Sequence, residues 1–123
     1  MCGINGIVDF KNNLNQKKIR NIINDFNKSI SHRGPDGDGC EILNNIGLGH
    51  TRLSIIDLSK NGSQPMYDKN NNTFISYNGE IYNFLDLKNQ YLANDNFFSN
   101  TDTEVILKLY SLLGIEKLIN EIN

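Results

Sequence analysis

Two segments of the chain repeat apolar residues at steps of three and four, the spacing of one face of a helix. They span Asn15–Ser31 and Thr103–Leu113. Asp102 is the predicted N-cap of the second helix, and Gly114 is its predicted end. The apolar positions expected to face the interior are Ile19, Ile22, Ile23, Phe26 and Ile30 in the first helix, and Val105, Ile106, Leu109, Leu112 and Leu113 in the second.

Shorter segments around these helices are rich in β-branched and aromatic residues, which predicts strands. Asn78-Gly79 has the sequence of a tight hairpin turn, with Glu80–Tyr82 as its return segment. Asn83 is the predicted N-cap of a helix from Phe84 to Leu92, and a short helix is expected over Ile115–Ile122. We therefore predict one mixed α+β domain over residues 1–123. The predicted strands are Gly3–Phe10, Cys40–Leu43, Ile46–Leu53 and Thr73–Tyr77, with a turn at Asn44-Asn45.

Length and charge exclude several classes of protein. A chain of 123 residues allows one domain rather than two. With 12 basic and 14 acidic residues, the net charge of −2 excludes a strongly electrostatic nucleic-acid binder and a basic membrane-surface helix. No apolar run approaches the ~20 residues of a transmembrane helix. Because the N-terminus also lacks a secretory signal, we expect a cytoplasmic protein that binds neither nucleic acid nor membrane.

The spacing of cysteine and histidine predicts no metal site. Neither Cys2 nor Cys40 has a second Cys or His at zinc-finger spacing, and His32 and His50 form no metal-binding pair. We interpret both histidines as structural. Both cysteines are expected to be reduced thiols, since nothing in the sequence directs export to an oxidising compartment.

Cys2 is the first candidate for chemistry. A small residue at position two favours removal of Met1, which would leave one residue carrying both a thiol and a free α-amine. An α-amine is basic enough to accept the proton of a thiol near neutral pH, so such a nucleophile is its own general base. The alternative interpretation is a buried, inert cysteine with Met1 retained.

Four further candidates each have an ordinary explanation beside the functional one. Asn78-Gly79 is either a type I′ turn or a pair of N–H donors for a tetrahedral oxyanion. Arg52 is either a surface cation or a two-point carboxylate ligand. Glu80 and Asp102 are either a hairpin charge and an N-cap, or two ligands for an ammonium group. Together these residue types predict a site for an amino acid.

At these residues the sequence resembles the glutaminase domain of asparagine synthetase, a class II glutamine amidotransferase of the N-terminal-nucleophile hydrolase type. The resemblance implies a sandwich of two sheets between helices, with the layer order αββα. Six motifs in the family's order carry it across nearly the whole chain. They are Met1–Ile4, His32–Gly37, Gly49–Asp57, Gln64–Met66, Tyr77–Asn83 and Thr101–Leu107.

The resemblance also implies a role for each candidate residue. Cys2 matches the nucleophile that attacks the side-chain amide of glutamine and forms a glutamyl thioester. Asn78 and Gly79 match the oxyanion hole, and Arg52 matches the ligand of the α-carboxylate. Glu80 and Asp102 match the ligands of the α-amino group. Arg33 lies in a matched motif and is given only a structural or loop-ordering role.

The family's domain continues with further strands beyond the position that matches Asn123. In the family, a synthetase domain follows and receives the ammonia through a tunnel. ATP and magnesium act only there, on aspartate, so no cofactor is expected for glutamine hydrolysis. We therefore expect a fold truncated at its C-terminus, with uncovered sheet edges that favour self-association or a synthetase partner. The alternative function is a catalytically inactive fragment of the same fold that binds glutamine or a partner chain.

Overall fold

The computed structural model describes residues 1–55 and 57–123, and has the α+β architecture that the sequence predicts. Ile56, within the matched motif Gly49–Asp57, lies outside the described residues. Turns of 3₁₀ helix lie at Ser31–Arg33 and Lys60–Gly62. The elements in the described residues are strands β1 (Gly3–Val8), β2 (Gly37–Leu43), β3 (Ile46–Arg52), β4 (Met66–Asp68) and β5 (Thr73–Ile75), and helices α1 (Gln16–Ser29), α2 (Phe84–Tyr91) and α3 (Asp102–Glu121).

Strands β1, β3 and β2 form an antiparallel sheet with β3 in the centre. In the register, Gly3 lies opposite Thr51 and Gly37 lies opposite Arg52, so the start of the chain meets the end of β3. The predicted turn between β2 and β3 is confirmed, with Asn44 at a φ of 53°. This pairing brings position two next to the segment that follows β3.

Helix α1 packs on one face of this sheet. A Cβ at Gly47 would lie 2.6 Å from Ile19, so the helix rests directly against the backbone of β3. Ile19 and Ile23 are fully buried, as predicted, but Phe26 is 42% exposed and the prediction for it was wrong. Asn27 is buried instead, because its side-chain amide donates to the Gly39 carbonyl across 2.9 Å.

A second layer is built from the β4–β5 hairpin and helices α2 and α3. The apolar core here consists of Ile81, Leu87, Leu92, Val105, Leu109 and Leu118. Leu112 was predicted to face this core but is 56% exposed, because the first turns of α3 are enclosed on all sides and the later turns are not. Gly114, at φ 73° and ψ 169°, interrupts α3 where the sequence predicts a break. Neither α3 nor another described helix is long and apolar enough to cross a membrane.

The predicted cap of α3 was wrong, whereas Asn83 occupies the predicted N-cap position of α2. Thr101, rather than Asp102, caps α3: its hydroxyl accepts a hydrogen bond from the Glu104 N–H at 3.2 Å. Asn83 precedes α2 but does not cap it with its side chain. Its amide instead accepts from the Asn123 N–H, which ties the start of α2 to the end of the chain.

Candidate active site

All six predicted site residues line one cavity of about 330 Å³, within the usual size range of small-molecule sites. The cavity lies between the end of β3, the segment after β5 and the first turn of α3. The predicted residues among its walls are Cys2, Arg52, Asn78, Gly79, Glu80 and Asp102.

The Cys2 side chain is held at the end of β3. The Leu53 N–H donates to its sulfur at 3.3 Å, and the thiol donates back to the Leu53 carbonyl at 3.5 Å. Arg33 Nε donates to the Cys2 carbonyl at 3.2 Å, in keeping with the structural role given to this arginine. Met1, immediately before Cys2, is largely exposed. The sulfur therefore has a defined position, while the residue before it is accessible for removal.

The loop after α1 is fastened to the same end of β3. A Cβ at Gly34 would lie only 2.3 Å from the carbonyl carbon of Thr51, so a larger residue would push the loop away. The Asp36 N–H donates to the Arg52 carbonyl at 2.9 Å, and its carboxylate accepts from the Ser54 N–H at 2.7 Å. The second matched motif thus encloses the backbone on which Cys2 rests.

The Arg52 guanidinium is oriented by backbone carbonyls. One terminal nitrogen donates to the Ser59 carbonyl at 2.7 Å, and the other donates to the Asp57 carbonyl. A guanidinium has five N–H donors, so donors remain for a ligand. Hydrogen bonds from Ser59, and one from the backbone of Asn100, lower the pKa of the Asp57 carboxyl and thereby favour its anionic form. A Cβ at Gly62 would lie 2.5 Å from the guanidinium, so glycine leaves room for it.

The predicted hairpin turn at Asn78-Gly79 was wrong. A type I′ turn needs positive φ at both residues, and neither has it. The backbone does not turn back, because its neighbours are fastened elsewhere: the Tyr77 N–H donates to Gln64 Oε1 at 2.6 Å, and Ser76 Oγ donates to the Gly49 carbonyl at 2.9 Å. Both residues border the cavity in an open segment.

The two predicted ammonium ligands differ in their surroundings. Asp102 is 4% exposed, and its carboxylate accepts from the Ile81 N–H at 3.0 Å and from the Thr103 hydroxyl at 3.4 Å. Glu80 is exposed at the cavity wall. A cation entering the cavity would meet one buried and one solvated carboxylate. Within residues 1–55 and 57–123, no three His, Cys, Asp or Glu side chains are grouped so as to hold a metal ion.

Sequence reasoning gave no site role to two further residues of the cavity wall, His50 and Gln64. His50 is 1% exposed, and neither ring nitrogen has a hydrogen-bond partner among the described residues. Burial has the largest effect on the pKa of His50 and lowers it; the Tyr77 backbone raises this pKa by less, and the Arg52 charge adds a smaller lowering effect. Gln64 stands in a matched motif, but no pattern of residue types indicates what its side chain contacts.

Sequence reasoning also missed Glu104, a buried residue whose backbone N–H bonds to Thr101 in the cavity wall. It is 0% exposed, and its carboxylate accepts from the Ser99 N–H at 2.7 Å and the Ser99 hydroxyl at 2.6 Å. The spacing Thr101-x-x-Glu104 is the sequence pattern of a capping box, and it was the signal available for both residues.

A family model described as "Glutamine amidotransferase domain" matches residues 1–123. The chain is 46% identical to a putative glutamine-hydrolyzing asparagine synthetase 2 of Methanocaldococcus jannaschii, over 94% of this chain and 25% of that protein. It is 34% identical to the amidase chyE of Penicillium rubens, over 94% of this chain and 18% of that protein. It is 38% identical to glutamine-hydrolyzing asparagine synthetase 2 of Bacillus subtilis, over 94% of this chain and 15% of that protein. The chain thus spans a quarter or less of the length of these relatives.

Proposed function

This chain belongs to the glutamine amidotransferase domain family, and we propose that it hydrolyses glutamine to glutamate and ammonia with Cys2 as the nucleophile. One observation carries the proposal. A held thiol lies in the same cavity as a guanidinium, two carboxylates and an open Asn-Gly segment. These are the groups needed for the carboxylate, ammonium and side-chain amide of a single amino acid.

Substrate binding follows from the charges of the cavity. The free N–H donors of Arg52 bind the α-carboxylate of glutamine, since planar guanidinium matches carboxylate in two-point geometry. Asp102 and Glu80 bind the α-ammonium group. With the α-carboxylate and the α-ammonium group both held, the side-chain amide is directed toward the Cys2 sulfur, and this orientation supplies part of the rate.

The reaction proceeds by acyl transfer. After Met1 is removed, the Cys2 α-amine accepts the thiol proton, directly or through water, and the sulfur attacks the amide carbon. The Asn78 side chain and the Gly79 N–H donate to the oxyanion. The C–N bond breaks, the amine gives its proton to the departing ammonia, and a glutamyl thioester remains. Water, deprotonated by the same amine, attacks the thioester carbon, and the S–C bond breaks to release glutamate and the thiol.

We further propose that the fold is the αββα sandwich of N-terminal-nucleophile hydrolases. Helix α1 on the three-stranded sheet and α3 on the β4–β5 hairpin support this layer order. The hydrolytic step needs no cofactor in this scheme. ATP and magnesium would act on a synthetase domain or subunit that receives the ammonia.

The test is release of ammonia and glutamate from glutamine by the chain that begins at Cys2. Cys2→Ala is expected to abolish release, and Cys40→Ala, which changes the other thiol, is expected to leave it unchanged. Equal release by the Cys2→Ala variant would remove Cys2 from the mechanism. The chain with Met1 retained should be inactive, because its Cys2 nitrogen is an amide rather than an amine.

A second candidate function is binding of a partner chain without catalysis. The observation that favours it is the face of the three-stranded sheet opposite α1, where Ile4 and Val8 remain about half exposed. Uncovered apolar sheet surface favours association. This function predicts no turnover by the isolated chain and a concentration-dependent oligomeric state in size-exclusion chromatography. Turnover by a monomer at all concentrations would exclude it.

A further inference from the structure

Gln64 connects two parts of the cavity that are distant in sequence. Its Oε1 accepts from the Tyr77 N–H at 2.6 Å, next to Asn78 and Gly79. Its Nε2 donates to the Thr103 hydroxyl at 3.1 Å, in the first turn of α3. Because a backbone N–H can only donate, the oxygen of the Gln64 amide must face Tyr77, and the nitrogen then faces Thr103.

The chain of hydrogen bonds continues to the buried carboxylate. The Thr103 hydroxyl accepts from Gln64 and donates to Asp102 Oδ1 at 3.4 Å, while Asp102 Oδ2 accepts from the Ile81 N–H at 3.0 Å. Residues 78–80 therefore lie between two hydrogen-bonded residues, Tyr77 and Ile81. Ile81 bonds directly to Asp102 in the first turn of α3, and Tyr77 is connected to the same turn through Gln64 and Thr103.

We propose that Gln64 is a positioning residue, which holds the oxyanion donors Asn78 and Gly79 at a fixed place relative to the ammonium ligand Asp102. The inference rests on the proposed function. Gln64 borders the cavity, but each end of its amide already bonds to a protein group, so it orients other residues rather than substrate. Oxyanion donors are effective only when they are already in place as negative charge develops.

The open backbone of this segment explains why such a link is needed. Neither Asn78 nor Gly79 lies in a strand or a tight turn, so no ladder of backbone hydrogen bonds fixes them. Ser76 is fastened to the Gly49 carbonyl on one side, and Ile81 is buried in the core on the other. Without the bond from Tyr77 to Gln64, Ser76 and Ile81 stay in place, but the backbone between them is no longer held in one conformation.

The experiment compares Gln64→Leu, which removes both hydrogen bonds at similar size, with Thr103→Val. The second variant removes the bond from Gln64 to Thr103 and the bond from Thr103 to Asp102, and keeps the bond from Tyr77 to Gln64. Gln90→Leu makes the same change at an exposed position of α2 and is the matched control. For Gln64→Leu we expect kcat for glutamine hydrolysis to fall about 100-fold, the order of loss that misplacement by ~1 Å produces, with KM nearly unchanged. Thr103→Val should lose about tenfold, as an intermediate case, and Gln90→Leu should lose nothing.

Amide hydrogen exchange supplies a readout that does not depend on activity. In Gln64→Leu the Tyr77 amide should exchange at least about tenfold faster, while the amides of β1 and β3 keep their rates. A folded Gln64→Leu variant with kcat within about twofold of the parent, or with an unchanged Tyr77 exchange rate, overturns the proposal. Should Gln64→Leu not fold, Thr103→Val decides by its rate: a kcat within about twofold of the parent overturns the proposal.

Failure of the proposed function gives a different result. If the parent chain releases no ammonia, the proposed function is wrong, whatever the variants do. The Tyr77 exchange rate then still decides whether Gln64 orders the segment: faster exchange in Gln64→Leu supports the hydrogen-bonded link, and unchanged exchange refutes it.

Discussion

The Ile81 N–H donates to the Asp102 carboxylate across 3.0 Å, in a part of the cavity wall where Asp102 is almost fully buried. One oxygen of this carboxylate accepts from the backbone, and among the described residues the other accepts only the longer bond from Thr103. A buried carboxylate with a weakly used oxygen is a strong ligand for a cation. Asp102 therefore supports the segment that carries Asn78 and Gly79, and in the proposed mechanism it also binds the ammonium group.

Asp102→Asn separates these two roles, because asparagine keeps an oxygen for the Ile81 N–H but carries no charge. We expect kcat/KM for glutamine to fall about 10- to 100-fold, equivalent to the ~1.5–3 kcal/mol of a hydrogen bond to a charged group. The loss should appear mainly in KM. Asp25→Asn, on the exposed side of α1, is the control and should change neither constant. An unchanged KM in Asp102→Asn would show that this carboxylate does not bind the substrate.

The pH dependence of stability should report His50. Its pKa is lowered below the ordinary 6.5, so between the two values the unfolded chain binds more protons than the folded chain. The free energy of unfolding should therefore decrease as the pH falls below 6.5. Asp57 and Asp68, whose pKa values hydrogen bonds lower, contribute only below their ordinary 3.8. Thermal unfolding is measured between about pH 7 and pH 5, a range that includes the ordinary His value. The slope should be lost in His50→Gln and kept in the exposed His32→Gln control. Equal slopes in the two variants would contradict the assignment.

Gly34→Ala tests the close approach between the loop after α1 and β3. The added methyl group would meet the Thr51 backbone, which cannot move aside as a side chain can. We expect a loss of about 1–3 kcal/mol in the free energy of unfolding, the usual cost of an overpacked site, and a lower rate of hydrolysis. Gly6→Ala is the milder comparison, because its nearest neighbour is the flexible end of Leu48 and the closest backbone atom, the Gly47 oxygen, lies at 3.1 Å rather than 2.3 Å. Urea denaturation measures both; equal stabilities would show that the loop has room.

Thr101→Ala tests the cap of α3, the helix that supplies Asp102. Loss of the hydrogen bond from the Glu104 N–H should cost about 1 kcal/mol of stability. Thr73→Ala, at the start of β5, removes a hydroxyl that donates to the Asn71 carbonyl at an exposed position and should cost less. Chemical denaturation of the two variants provides the comparison. A larger loss of stability in Thr73→Ala than in Thr101→Ala would show that the hairpin hydroxyl stabilises the protein more than the helix cap does.

The parts of the fold that follow a regular period could be predicted from the sequence. Apolar spacing indicated α1 and α3, and Gly114 marked the interruption of α3. Alternation and turn residues indicated β1, β2 and β3, to within a few residues at their ends. The three-residue strand β4 was not predicted, because so short a segment carries no usable period.

The candidate site could be predicted only where a residue type carries chemistry of its own. A thiol, a guanidinium and two carboxylates are visible in a sequence, and the structure brings Cys2, Arg52, Glu80 and Asp102 to one cavity. The contacts of Gln64 and the burial of His50 depend on which distant segments meet, and no local pattern records that. The hairpin prediction for Asn78-Gly79 was wrong because the backbone N–H groups on either side, at Tyr77 and Ile81, bond to side chains far along the chain.

The most direct test of the central claim is the position of the acyl group during turnover. The chain beginning at Cys2 is mixed with glutamine, quenched in acid within one turnover and examined by intact mass and peptide mapping. We expect a glutamyl group on the peptide that contains Cys2, its loss in Cys2→Ala, and its persistence in Cys40→Ala. A glutamyl group on any other residue, or ammonia release by Cys2→Ala at the parent rate, would contradict the proposed mechanism.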